Sequence, residues 1–306
     1  MAIDLFSIGK FTVHGYGLMI GLGFIAAVLA GSYLAKKKGL SDDHFTSMAV
    51  WVLVVGFMGG KLLHIIVEFK AFLANPMAVL GSEGFVVYGG IITGILSIVV
   101  YCRVKKLNCL DYLDLFGAAV PINQSLGRIG CFLAGCCYGR ETDSAIGVVF
   151  PEGCIAPAGV KLLPTQLFMA AGDFIIFIAL SVYLLRTKAV TKPAVDVAVG
   201  EDSAASGAGE DSKDKKNKKP VKLIEPVRVT NPGCTTALYL VLYSIGRFII
   251  EFFRNDVRGS VGALSTSQFI AIFSFIGGVA VYILIARGKK SESRPENKPD
   301  NNNVGD

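Results

Sequence analysis

The chain has 306 residues, is 52% hydrophobic and only 18% charged, and carries a net charge of +6. A soluble domain of this length carries more charge. The basic residues stand in loops and tails between apolar runs rather than in one patch, so no nucleic-acid partner is expected. Residues 14–35, 85–102 and 259–286 contain no Asp, Glu, Lys or Arg. Because ~20 apolar residues suffice for a helix to cross a bilayer, the chain reads as an all-α polytopic membrane protein. Repeated runs exclude a single cleaved signal peptide, and the first run is read as an uncleaved signal-anchor.

Seven spans are predicted, at 14–36, 46–68, 85–104, 112–133, 165–186, 235–253 and 265–287. The fourth is the least even. Asp111 and Asp114 open it, and Pro121, Asn123, Gln124 and Arg128 lie within it, so it is predicted to be broken or to end at a water-facing cavity. Lysines and arginines follow spans one (Lys36, Lys37, Lys38), three (Arg103, Lys105, Lys106), five (Arg186, Lys188, Lys192) and seven (Arg287, Lys289, Lys290). The positive-inside rule makes that side the cytoplasm, with the N-terminus outside and the C-terminus cytoplasmic. Four units result: 1–186 with spans one to five and an outer-leaflet lipid site, a linker at 187–231, 232–288 with spans six and seven, and a tail at 289–306. The linker (AVGEDSAASGAGEDS, then KDKKNKKPVK) and the tail cannot bury a core, and both are read as disordered and cytoplasmic.

Ionisable groups inside a span are costly and mark function by default. Here they are Lys61 and His64 in span two, Arg128 at the end of span four, Asp173 in span five, and Arg247 with Glu251 in span six. Arg247 and Glu251 are four apart, share a helix face and can pair; a purely structural ion pair stays open, above all for Glu251. Arg254 is read as a boundary residue reaching for headgroups. Arg128 stands between Gly127 and Gly130, and a guanidinium beside open backbone N–H groups is a phosphate-binding arrangement. Tyr88 directly precedes Gly89 and Gly90. Together these residues describe a site for an anionic, phosphate-bearing lipid headgroup. Rings of like charge, as in a channel, and inverted repeats, as in a transporter, are not found.

Seven cysteines are present: Cys102, Cys109, Cys131, Cys136, Cys137, Cys154 and Cys234. There is no CxxC, which argues against a thioredoxin-type redox site. Cys131, Cys136, Cys137 and Cys154 fall outside under this topology. Small packed thiols are the first reading, a disulfide from the 136–137 pair to Cys154 stays open, and no metal is assigned because no histidine lies near.

The motifs resemble those of the prolipoprotein diacylglyceryl transferase family. YGLM at 16–19 resembles its first-span motif and YGGIITG at 88–94 its HGGLIG. GRIGCFLAGCCYG at 127–139 is similar to the GRxGNFxNxExxG signature, PTQL at 164–167 to PSQL, and YSIGRFIIEFFRND at 243–256 to the penultimate-span motif. The resemblance implies a multi-pass enzyme of the bacterial cell (inner) membrane that needs no cofactor. It would move the diacylglyceryl group of phosphatidylglycerol onto the lipobox cysteine of prolipoprotein signal peptides, leaving a thioether and glycerol phosphate. Arg128 and Arg247 match the family's critical arginines and are assigned to phosphate binding and leaving-group stabilisation, with Tyr88 as the third catalytic residue. Tyr16, Gly89, Gly90, Gly127, Gly130, Gly139, Tyr243 and Glu251 are assigned to substrate binding.

The departures are specific. The HGG histidine is Tyr88, the histidine before PSQL is Leu163, and Lys61 replaces an arginine. In the signature, the two Asn are Cys131 and Ala134 and the Glu is Cys136; after PSQL, Phe168 and Met169 replace Tyr and Glu. Either Tyr88 deprotonates the substrate thiol as a phenolate, or the arginines lower the thiol pKa and no dedicated base is needed. Two further readings follow from the lost histidine: a paralogue with another phospholipid or acceptor, and a non-catalytic lipid-binding protein.

Overall fold

The computed structural model describes residues 4–8, 11–82, 84–187, 189–190, 228–229, 232–256, 259–262 and 264–292. Residues 293–306 of the predicted tail and most of the predicted linker lie outside them, while 289–292 continue the last helix. A hairpin of β1 (Asp4–Ile8) and β2 (Phe11–His14) leads into α1 (Gly15–Lys37). Next comes α2 (Asp42–Val67), whose N-terminus is capped by the Ser41 hydroxyl accepting from the His44 N–H, with Asp42 and Asp43 in the first turn. Two short helices, α3 (Phe69–Ala74) and α4 (Pro76–Gly81), precede α5 (Val87–Val104). After α6 (Cys109–Ala134) the chain forms an irregular segment containing the pair β3 (Val148–Val149) and β4 (Lys161–Leu162), then α7 (Thr165–Arg186). β5 (Ala189–Val190) pairs with β6 (Arg228–Val229), and α8 (Cys234–Glu251), β7 (Ser260–Val261), β8 (Leu264–Ser265) and α9 (Thr266–Glu292) complete the chain.

Among the described residues six helices, α1, α2, α5, α7, α8 and α9, are long and apolar enough to cross a membrane. With 26 residues, α6 spans ~39 Å at 1.5 Å per residue, but its composition is too polar for that class. It packs against α1, α7 and α8 instead of presenting itself mainly to lipid. The predicted break does not occur: α6 runs unbroken through the buried Pro121. Neighbouring helices answer its polar groups, which is how proline and polar side chains are tolerated at membrane depth. Ser125 donates to the Ala170 carbonyl at 2.8 Å, and Gln124 Oε1 accepts from the Tyr239 hydroxyl at 3.0 Å.

The bundle has two unlike ends. At the basic end, where α1, α5 and α7 finish in lysine or arginine, Leu34, Phe45, Met48, Ile98, Leu115 and Leu180 form the main apolar core. Asp114 is fully buried there. Its carboxylate accepts from the Gly233 N–H (2.8 Å), the Thr236 N–H (2.8 Å) and the Thr236 hydroxyl (3.1 Å). It therefore caps the start of α8 from α6, satisfying donors that a helix N-terminus leaves open. The opposite end collects the polar residues of the predicted site.

Candidate active site

At its far end α6 stops at Gly135, whose φ of +69° turns the chain out of the helix. The Cys136 N–H then reaches back to the Cys131 carbonyl at 3.1 Å, closing the helix end. Two residues on, Cys137 also has positive φ (+62°), uncommon for a residue with a Cβ. The start of α7 holds this turn. Thr165 and Gln166, both fully buried, donate to the Cys137 carbonyl (2.8 Å) and the Cys136 carbonyl (2.7 Å). The PTQL segment is thus a clamp on the cysteine turn.

Main-chain bonds tie the same turn to the end of α8. The Arg140 N–H donates to the Phe253 carbonyl at 2.9 Å, and the Asn255 N–H to the Tyr138 carbonyl at 3.3 Å. The Gly139 N–H donates to the Leu163 carbonyl at 2.9 Å, and a Cβ on Gly139 would stand 2.7 Å from that oxygen. Three segments distant in sequence, 127–141, 162–166 and 247–255, are joined here.

Three guanidiniums gather at this junction. Arg247 is tied down: it pairs with Glu251 at 3.2 Å, donates to the Ser267 hydroxyl at 2.7 Å and lies 3.7 Å from the Met169 sulfur. The pair predicted from the four-residue spacing is present. Arg254 is also tied down, through two bonds to the Asp256 carboxylate at 3.0 and 2.8 Å. It is buried rather than reaching for headgroups: Gly139 bridges to it across the end of α8, and Asp256, two residues on, is its local partner in place of water. Arg128 differs from both. Half-buried near the end of α6, it has no hydrogen-bonded or ion-paired partner among the described residues. Its charge acts through space on Tyr243, Cys131, Cys137 and Asp173. Asp173 is buried and acts in the same way on both Arg128 and Arg247.

The other assigned residues divide by surroundings. Tyr88 lies within electrostatic reach of Arg247 and Tyr243, and Tyr16 within reach of Arg128 and the cysteine turn; both are substantially exposed. Tyr243 is half-buried and stacks on Tyr239. Gly89 and Gly90 face α2: a Cβ at Gly89 would stand 2.4 Å from the Gly59 carbonyl oxygen, so glycine lets α5 and α2 touch. Gly130 similarly admits the backbone of Tyr16, while Gly127 faces open space. Lys61 donates to the carbonyls of Ser82 (2.6 Å) and Gly84 (3.3 Å), fixing the turn before α5, and His64 packs on that turn.

All seven cysteines are free thiols, so the possible disulfide to Cys154 is not formed. The sulfurs of Cys131, Cys136 and Cys137 lie within 4.8 Å of one another. Hydrogen bonds from Cys131 and Cys136, and then the charges of Arg254 and Arg128, push the Cys137 thiol well below its usual range. Sequence reasoning missed this convergence and the roles of Gln166 and Arg254.

The fold and this junction define a polytopic helical membrane protein with one open guanidinium within electrostatic reach of two paired ones. The sequence model of the prolipoprotein diacylglyceryl transferase family matches residues 4–199 and 222–284. The chain is 39% identical over 284 residues to phosphatidylglycerol–prolipoprotein diacylglyceryl transferase 2 of Clostridium perfringens, covering 92% of this chain and 94% of that one. It is 38% identical over 280 residues to the phosphatidylglycerol–prolipoprotein diacylglyceryl transferase of Clostridium tetani, covering 91% and 95%. With the similarly named protein of Finegoldia magna it shares 29% identity over 280 residues, 91% of this chain and 93% of the relative. The chain belongs to the prolipoprotein diacylglyceryl transferase family.

Proposed function

We propose that this protein transfers the diacylglyceryl group of phosphatidylglycerol to the lipobox cysteine thiol of prolipoproteins, in the bacterial cell (inner) membrane with the arginine site facing outward. The observation that carries this is Arg128, a guanidinium with every N–H donor uncommitted, beside two arginines already held by carboxylates. An arginine left without a partner in a partly buried site is set for an anion that the protein itself does not contain.

The thiolate sulfur of the acceptor attacks the glyceryl carbon that bears the phosphate. A C–S bond forms, the C–O bond to phosphorus breaks, and glycerol phosphate leaves with the extra negative charge. Arg128 takes the phosphate directly and bidentately. Arg247, kept in place by Glu251 and Ser267, supports the charge that builds on the leaving oxygens. Tyr88 acts as a hydroxyl donor at the leaving group, because an ordinary phenol, with pKa ~10, is too weakly ionised to serve as base near neutrality. Tyr16 and Tyr243 flank the headgroup, and Gly127 leaves the space in which it sits. Gly89, Gly90, Gly130 and Gly139 set the helix and loop spacings around it.

The test follows the leaving group. Phosphatidylglycerol labelled in its headgroup glycerol is incubated with purified protein, with and without a lipobox peptide. Release of labelled glycerol phosphate only when peptide is present supports transfer. Release without peptide means a hydrolase, and no release from folded protein means a binding role.

A further inference from the structure

The thiol trio is the feature the transfer scheme leaves unused. Three observations bear on it. First, the three sulfurs already lie within 4.8 Å of one another, whereas tetrahedral zinc with bonds of ~2.3 Å places its sulfurs ~3.8 Å apart. The gap to close is at most ~1 Å. Second, the backbone is built to converge them. Neighbouring side chains normally diverge, but the left-handed turns at Gly135 and Cys137 fold the vicinal pair back on Cys131, and Thr165 and Gln166 lock both carbonyls. Strained backbone of this kind persists where the surroundings over-determine it. Third, no histidine, aspartate, glutamate or further cysteine among the described residues joins the group; Cys154, which packs against Gly135, stands outside it. A three-thiolate site therefore has one tetrahedral position open.

We propose that Cys131, Cys136 and Cys137 bind a zinc ion whose open fourth position takes the acceptor cysteine thiol; the second half of this rests on the transferase reading above. Three thiolates without oxygen ligands select a thiophilic d10 ion. Zinc among these keeps a tetrahedral vacancy for a substrate. A thiol bound to zinc loses its proton outright, here to solvent, and attacks as the metal-bound thiolate. The thioether formed is a neutral, weaker ligand and leaves, which restores the vacancy. The site would supply the activation that the HGG histidine cannot, since that position is Tyr88. Arg128 and Arg254 act electrostatically on Cys137 and offset the anionic charge of the cluster. The Cys136 S–H that now faces the Cys131 carbonyl at 3.7 Å would give up its proton on binding the ion.

The experiment uses full-length protein purified in detergent under reductant from cells grown with zinc. Metal content is measured on wild type and on Cys131→Ser, Cys136→Ser and Cys137→Ser. One equivalent of zinc in wild type, reduced at least tenfold in each variant, is expected. Cobalt(II) exchanged into wild-type protein reports on ligands without relying on variant folding. A sulfur-to-cobalt charge-transfer band is expected, and it should grow when a lipobox peptide is added but not when a Cys→Ser peptide is. Transfer is followed in parallel with a zinc chelator and after zinc is returned, with loss and recovery expected. Folded protein without stoichiometric zinc, or without a cobalt–thiolate band, overturns the proposal. Transfer that survives full zinc removal also overturns it while leaving the transferase reading intact. Bound zinc with no transfer under any condition overturns the acceptor-thiol half and the transferase reading together.

Discussion

Asp114, fully buried, and Arg128, half-buried, are charged residues on one helix, ~21 Å apart along its axis at 1.5 Å per residue. They are treated in opposite ways. Asp114 accepts three hydrogen bonds from the start of α8, which engage both of its oxygens within the protein. Arg128 donates to no described residue and keeps its whole donor fork. The first joins two parts of the bundle across the chain's longest interhelical connection. The second is an unanswered charge that the fold tolerates because Asp173, Tyr243 and the cysteine turn surround it. A buried charge is therefore informative only together with its partners: a satisfied one speaks of stability, an unsatisfied one of a ligand.

That contrast can be broken by substitution. The largest effect is expected for Arg128→Ala. Transfer should fall by ~10²–10³-fold or more, as for loss of a principal oxyanion donor, with the melting temperature in detergent nearly unchanged because no protein partner is lost. Asp114→Ala should do the reverse. Leaving the α8 donors uncapped should cost ~2–3 kcal/mol, seen as a lower melting temperature and yield, while the folded fraction keeps its specific activity. Glu251→Gln lies between: Arg247 retains Ser267 but loses its counter-charge, and a roughly tenfold drop in kcat is expected, the lower end of the ~1.5–3 kcal/mol range of a contact to a charged group. Tyr88→Phe should lower the rate by less than ~10-fold, the range of one neutral hydrogen bond; a drop of ~10³ would instead make the phenol the base. The smallest effect is expected for deletion of residues 195–222. The β5–β6 pairing already brings the flanks of this segment together, so activity measured in membranes should be unchanged.

How much of this was legible beforehand depends on the range of the interactions. The apolar helices were legible because uncharged runs of membrane length have few other readings, and the Arg247–Glu251 pair because it is set by helix periodicity alone. The unbroken α6 was not. Pro121 argues locally for a break, and only the packing of α1, α7 and α8 around it removes that cost. Arg254 was misread for the same reason: its burial depends on residues 138–140, more than a hundred positions earlier. The convergence of Cys131, Cys136 and Cys137 needs a left-handed Cys137 and the clamp from Thr165 and Gln166, neither of which spacing reveals. Gly89 and Gly90 were assigned to substrate binding; their close packing on the Gly59 and Gly56 backbone of α2 was not legible.

The most direct measurement is mass spectrometry of a lipobox peptide incubated with phosphatidylglycerol and either wild-type protein or Arg128→Ala, both shown to be folded. The expected result is a diacylglyceryl mass gain on the cysteine with wild type and none with the variant. An equal gain with both would contradict the central role given to the unpartnered guanidinium. No gain with either would contradict the transferase itself.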